Sequence, residues 1–108
     1  MRTYLSNAFS INMLERANQR VHLVPVSVEE ARAHLQWPEG FTCAIGHADT
    51  AHVVGSDLDL ELAACRMDVQ LRRGDILVIA QYRGPRLPEG ATVLPADAVI
   101  EYWAVDVE

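Results

Sequence analysis

A layered α/β domain is what this sequence predicts, with a mixed sheet of about five or six strands flanked by helices. Three observations carry that expectation. "ILVIAQY" (76–82) is a dense apolar, β-branched run and reads as the strongest strand of the chain. "SVEEARAHLQW" (27–37) carries both a helix-start signal and helical spacing. Strand-like and helix-like stretches then alternate along the chain, the pattern of helices packed on a sheet.

Taken in order, "RTYL" (2–5) is a short strand. "SNAFSINML" (6–14) interleaves small polar and apolar residues and reads as a loop or an irregular turn of helix. "RVHLVPV" (20–26) is a strand, with Pro25 pushing it toward a sheet edge because proline has no N–H to donate. Ser27 and Glu30 form a capping box for the first helix, whose apolar positions are Val28, Ala31 and Leu35. "PEG" (38–40) ends it. "FTCAI" (41–45) is a short buried strand. "ADTAHVVGSDL" (48–58) is a helix that Gly55 interrupts or ends. "ELAACRMDVQL" (61–71) ends in a strand, and "RRGD" (72–75) is a hairpin-like turn between Leu71 and Ile76. "RGPRLPEG" (83–90) is a loop by its prolines and glycines. "PADAV" is a helical turn, and "IEYWAVDV" (100–107) is the final strand.

The chain has 108 residues, one domain's worth (1–108), of which 50% are hydrophobic and 22% charged. No apolar run approaches the ~18 residues of a membrane span. The N-terminal stretch lacks the apolar core of a secretory signal, so a cytoplasmic location is expected, with no membrane partner. Cys43 and Cys65 show no paired spacing and read as small buried residues rather than zinc ligands or a disulfide. No metal or cofactor is expected. The net charge of -6 argues against binding to duplex nucleic acid. All 9 cations are arginines, whose forked donors suit phosphate.

Three stretches can carry chemistry. The first is Gly46–His47 at a strand-to-helix joint. A helix start offers free N–H groups and a partial positive charge, Gly46 lets a ligand approach the backbone, and His47 can protonate a leaving oxygen. The helix end disfavours the imidazolium, whereas a bound phosphate favours it. The same residues also fit a histidine that merely caps a helix or fills a pocket. His52 points to another helix face, and His22 and His34 carry no evident chemistry. The second stretch places Arg83, Arg86 and Glu89 in a loop after a strand, where arginine can grip phosphate and a carboxylate can handle a hydroxyl proton. A solvated loop with an ordinary Arg–Glu contact fits equally. The third, "SNAFSINML", offers small polar groups to a nucleotide or to its own turns. Glycine-rich phosphate loops and hydrolase elbows are absent from the sequence. An enzyme here needs a reaction that asks for few groups. Cleavage of RNA by its own 2′-hydroxyl is one, since a histidine, arginines and a carboxylate suffice.

Taken together, "NAFSINML" (7–14), "AIGH-x-x-T-A" (44–51) and "Q…RLPEG" (81–90) resemble the small viral anti-CRISPR ring nucleases and their bacterial relatives that accompany type III CRISPR systems. The match runs from Leu5 to about Leu94. The resemblance implies a homodimer that binds cyclic tetra-adenylate across its two-fold axis. It also implies metal-independent cleavage of the ring to linear di-adenylate ending in a 2′,3′-cyclic phosphate, which switches off CRISPR ancillary nucleases. By the same resemblance His47 is the general acid, Arg86 and Glu89 are the late arginine and glutamate, and Arg66 opens the middle strand. Asn7, Ser10 and Gln81 match the polar pocket positions. A dimer would double Arg66 and Arg86 and present four cations to four phosphates. Two departures stand out. Cys65 occupies a position where relatives often have asparagine, and "RGP" before Arg86 is one residue longer than in some relatives. Arg83 therefore competes with Arg86 for the phosphate, and the "RLPEG" context favours Arg86. Two other readings remain: a non-catalytic protein that sequesters a cyclic nucleotide, and a small structural or DNA-interacting protein, against which the acidic charge speaks.

Overall fold

The apolar run at 76–82 forms the centre of the sheet. In a computed structural model that describes residues 1–15, 19–36 and 39–108, it becomes strand β4 (Ile76–Arg83). β1 (Thr3–Ser6) pairs with β4 in parallel, and β3 (Thr42–Cys43) pairs with β1 in parallel. β5 (Val99–Val107) runs antiparallel to β4, and β2 (Val21–Val26) antiparallel to β5. The order is β2-β5-β4-β1-β3, a mixed sheet of five strands as expected. Pro25 sits on an edge strand, where its missing N–H costs least.

Alternation along β1 and β4 divides the core between the two sheet faces. Leu5, Val78, Ala80 and Tyr102 pack under helices α1 (Val28–Leu35) and α2 (Ala48–Leu58) through Ala31, Leu35, Ala51, Val54 and Leu58. Tyr4, Leu77, Ile79 and Val105 form the second face. Among the described residues no α-helix covers it: Phe9, Met13 and Leu14 close it from one segment, and Val69 and Leu71 from another. α1 starts at the expected capping box. Glu30 N–H donates to Ser27 Oγ at 3.0 Å, and Ser27 N–H donates to Glu30 Oε1 at 3.1 Å. The Ser27 backbone N–H first, and then the Ser27 hydroxyl, hold the Glu30 carboxyl below its ordinary pKa. The part of the helix reading that falls on Trp37 and Pro38 lies outside the described residues.

The structure corrects four expectations. First, Gly55 does not interrupt its helix. α2 runs through it to Leu58, and the bare glycine Cα leaves room for the Leu60 carbonyl oxygen, which a Cβ at 55 would approach to 2.6 Å. Second, 61–71 does not end in a strand, and "RRGD" does not join a hairpin. Leu71 makes only an isolated parallel bridge to Leu14, its N–H donating to Met13 O at 2.7 Å. Residues Val69 and Leu71 are buried alternately as in a strand, but by packing on the second face rather than by pairing. The "RRGD" turn itself is real: Asp75 is buried and accepts from Arg2 N–H and Arg72 N–H, both at 2.9 Å. Third, the strand within "FTCAI" is two residues long and lies on the sheet edge, with Ile45 the fully buried member. Fourth, Cys43 is half-buried and Cys65 exposed. The backbone of Cys65 is used, its N–H donating to Ile45 O at 2.8 Å, while its thiol faces outward. Among the described residues, no helix is long and apolar enough to cross a membrane.

Candidate active site

Three parallel strands end at the same edge of the sheet, and each delivers one of the three stretches there. β1 runs into Asn7 and Ser10, β3 into Gly46 and His47, and β4 into Gln81 and the loop carrying Arg86 and Glu89. The chain leaves neighbouring strands β1 and β3 toward opposite faces. After β1 it covers the second face with Phe9, Met13 and Leu14, whereas after β3 it forms α2 on the helical face. Such a divergence opens a crevice beyond the carboxyl ends of the strands, the usual ligand position in sheets of this kind.

Small polar residues shape the turn after β1. Ser10 caps a 3-10 turn (Ile11–Met13), its Oγ accepting from Asn12 N–H at 3.2 Å. Among the described residues its O–H has no acceptor, which leaves it able to donate to a ligand. Gln70 Nε2 donates to Asn12 O at 3.0 Å and ties this turn to the 61–71 segment.

His47 is the N-cap of α2, yet its side chain makes no capping bond and the residue is exposed. The capping alternative is thereby removed, and the imidazole faces solvent at the helix start. The Cys65–Ile45 bond lays the next residue, Arg66, along Gly46. A Cβ at Gly46 would meet Arg66 Cγ at 2.9 Å, and Arg66 Nε lies 3.5 Å from Gly46 O, a weak bond at that length. Gly46 thus admits the arginine stem.

Two shallow grooves meet beside this pair. One, of about 370 Å³, is lined by Ala44, Gly46, Arg66, Met67 and Asp68. The other, of about 430 Å³, is lined by Ser10, Asn12, Met13 and residues 67–70. Met67 and Asp68 belong to both. Asn7, His47, Gln81, Arg86 and Glu89 stand outside these walls. The structure therefore brings Ser10, Gly46 and Arg66 into one continuous surface, with His47 adjoining it through the chain. Asp68 and Gln70 are groove residues the sequence reading missed, and Asn12 is one it offered only as part of the "SNAFSINML" stretch. Asp68 and Gln70 give no local signal.

The loop after β4 is braced at its base. Tyr82 O–H donates to Pro85 O at 2.5 Å, and Gly84 sits where a Cβ would strike Ala98 Cβ at 2.6 Å. Arg83 Nε forms an exposed ion pair with Glu101. Arg86 makes no ion pair among the described residues. Farther along, Gly90 N–H donates to Asp49 Oδ2 in the first turn of α2, at 3.0 Å. This bond brings the loop to the helix that His47 begins. No hydrogen bond or ion pair among the described residues joins His47 itself to Arg86 or Glu89. Gln81, on β4 opposite Glu101, donates from Nε2 to Tyr82 O at 3.3 Å. Among the described residues, no group of three or more His, Cys, Asp or Glu could hold a metal ion.

Comparison with known proteins agrees with this architecture. B116 of Sulfolobus turreted icosahedral virus (STIV) superposes on the chain with a TM-score of 0.81 at 25% sequence identity. The superposition covers 98% of this chain and 99% of that one. No curated protein sequence matches the chain. The sequence model of the STIV B116-like family matches residues 3–102, and the chain belongs to that family.

Proposed function

We propose that this chain is a metal-independent ring nuclease of the viral anti-CRISPR type. It would act in the cytoplasm as a homodimer that cleaves cyclic tetra-adenylate and so silences type III CRISPR ancillary nucleases. The observation that carries the reading is the meeting of the three motif stretches at the carboxyl edge of β1, β3 and β4. Family membership supports it.

In each cut the 2′-oxygen attacks the adjacent phosphorus and the P–O5′ bond breaks. Glu89 orients the 2′-hydroxyl or takes its proton, and His47 gives a proton to the departing 5′-oxygen. Arg66 and Arg86 hold the phosphate oxygens. Gly46 admits the Arg66 stem that carries the guanidinium to the phosphate, while Asn7, Ser10 and Gln81 position the nucleotide. Two cuts divide the ring into two linear di-adenylates, each ending in a 2′,3′-cyclic phosphate. A two-fold dimer matches the symmetry of such a ring and supplies each arginine twice. Exposed Ile11, between groove residues Ser10 and Asn12 in the chain, and Met67, which lines both grooves, offer apolar surface to a second copy.

The test is incubation of the pure protein, in EDTA, with cyclic tri-, tetra- and hexa-adenylate, with products resolved by mass. Conversion of the tetramer ring to di-adenylate with cyclic phosphate is expected. An intact ring that stays bound would make the protein a sequestering one, and an intact ring that does not bind would overturn the assignment.

A further inference from the structure

The loop that carries Arg86 and Glu89 has a second anchor, remote from its base. Its tip is a tight turn in which Ala91 N–H donates to Pro88 O at 3.1 Å and Gly90 has φ +78°. That is the pattern of a type II turn with Glu89 at the first corner and glycine where φ must be positive. The Gly90 N–H takes no part in closing the turn and needs another acceptor. Asp49 Oδ2 supplies it at 3.0 Å, from a position 41 residues away. The bonded N–H belongs to the Glu89–Gly90 peptide, so the contact fixes the peptide plane attached to the Glu89 Cα. At its other end the contact stands in the first turn of α2, two residues after His47, where the helix end favours a carboxylate.

We infer that Asp49 is a positioning residue. It pins the peptide that follows Glu89 to the helix that presents His47, and so holds the separation between the group acting on the 2′-hydroxyl and the acid acting on the 5′-oxygen. The inference rests on the ring-nuclease reading, because only there must those two residues keep a fixed distance. Two groups delivered by segments so far apart in sequence need such a tie, since a displacement of about 1 Å can cost a reaction ~100-fold.

The test compares Asp49→Ala and Asp49→Asn with the wild type. Asparagine keeps the acceptor oxygen and loses the charge. Single-turnover cleavage of cyclic tetra-adenylate should slow about 10- to 100-fold in D49A and recover most of its rate in D49N. Ring affinity, measured with each change added to His47→Ala, should stay within about threefold of H47A alone, since Asp49 is not placed on the ligand. Without ligand, the Gly90 amide should exchange faster with solvent in D49A and be protected again in D49N. Should D49A fail to fold, Asp49→Glu replaces it: the carboxylate is kept one methylene farther out, and cleavage slows. Wild-type cleavage in D49A, or equal loss in D49A and D49N, overturns the inference. If the wild type leaves the ring intact, the ring-nuclease reading fails instead. The Gly90 exchange rates then still decide whether Asp49 holds this peptide.

Discussion

Gly46 and Arg66 touch, and the absence of a side chain on the glycine is what allows it: a Cβ there would stand 2.9 Å from Arg66 Cγ and 3.7 Å from its Cα. Gly46 is not among the glycines with positive φ, so alanine fits its backbone. Gly46→Ala should therefore leave the fold intact and push the Arg66 stem outward. Affinity for cyclic tetra-adenylate should fall about tenfold, the equivalent of ~1.4 kcal/mol. Calorimetric titration reads this directly. An unchanged affinity would remove Arg66 from the phosphate.

His47 caps α2 with its backbone alone, leaving the imidazole free for a proton transfer. His47→Ala should lower the single-turnover cleavage rate about 100-fold or more, the usual worth of a positioned acid. Binding of the intact ring should persist. Unaltered turnover in this variant would end the proposed mechanism.

Arg83 and Arg86 compete on sequence grounds, and their surroundings separate them. Arg83 is engaged by Glu101 on the neighbouring strand, while Arg86 has no ion pair among the described residues. Arg86→Ala should reduce cleavage or ring affinity about tenfold or more, as expected for loss of a charged grip on phosphate. Arg83→Ala should change cleavage by less than about threefold and stability by ~0–1 kcal/mol, because the pair it breaks is exposed. The opposite ranking would hand the phosphate to Arg83.

Away from the site, Tyr102 donates its hydroxyl proton to Asp57 Oδ2 at 2.6 Å. Burial raises its pKa well above the ordinary 10.0, and the Asp57 hydrogen bond and charge add to the rise, against a smaller lowering by Arg32. The unfolded chain ionises this tyrosine above about pH 10 while the folded chain keeps it protonated. The folded state then binds the extra proton, so this contribution is complete below pH 10 and declines as pH rises beyond it. Urea midpoints from about pH 8 to pH 11 should drop more steeply in the wild type than in Tyr102→Phe. Parallel slopes would show that Tyr102 does not set the alkaline limit.

Local signals in the sequence proved dependable where one short-range cause determines the outcome. The Ser27–Glu30 capping box starts α1 as read, and Pro25 lies on an edge. Misreadings arose where tertiary packing imitates or overrides a local pattern. Val69 and Leu71 alternate like strand residues because a sheet face buries them, without a strand being formed. Gly55 looks like a helix breaker, but its missing side chain makes room for the Leu60 carbonyl, and the helix continues. In the site, the motif residues were legible as types. The Arg83–Glu101 pair and the groove walls at Asp68 and Gln70 were not, because they depend on which strands become neighbours.

The placement of β1 also bears on how the chain reaches its native state. β1 lies between β3 and β4, with Arg2 N–H bonded to Asp75 at a separation of 73 residues. β1 cannot be seated between its neighbours until β4 is in place, so hydrophobic Tyr4 and Leu5 stay exposed until then. Contacts this distant in sequence slow folding, because a long loop must close before it gains any stabilisation. Seating β1 also brings the stretch from Asn7 to Ser10 to the strand end beside the one that leads to Gly46. The candidate site's edge and both core layers depend on β1, through Leu5 in one layer and Tyr4 in the other, so a chain that has not seated it completes none of them.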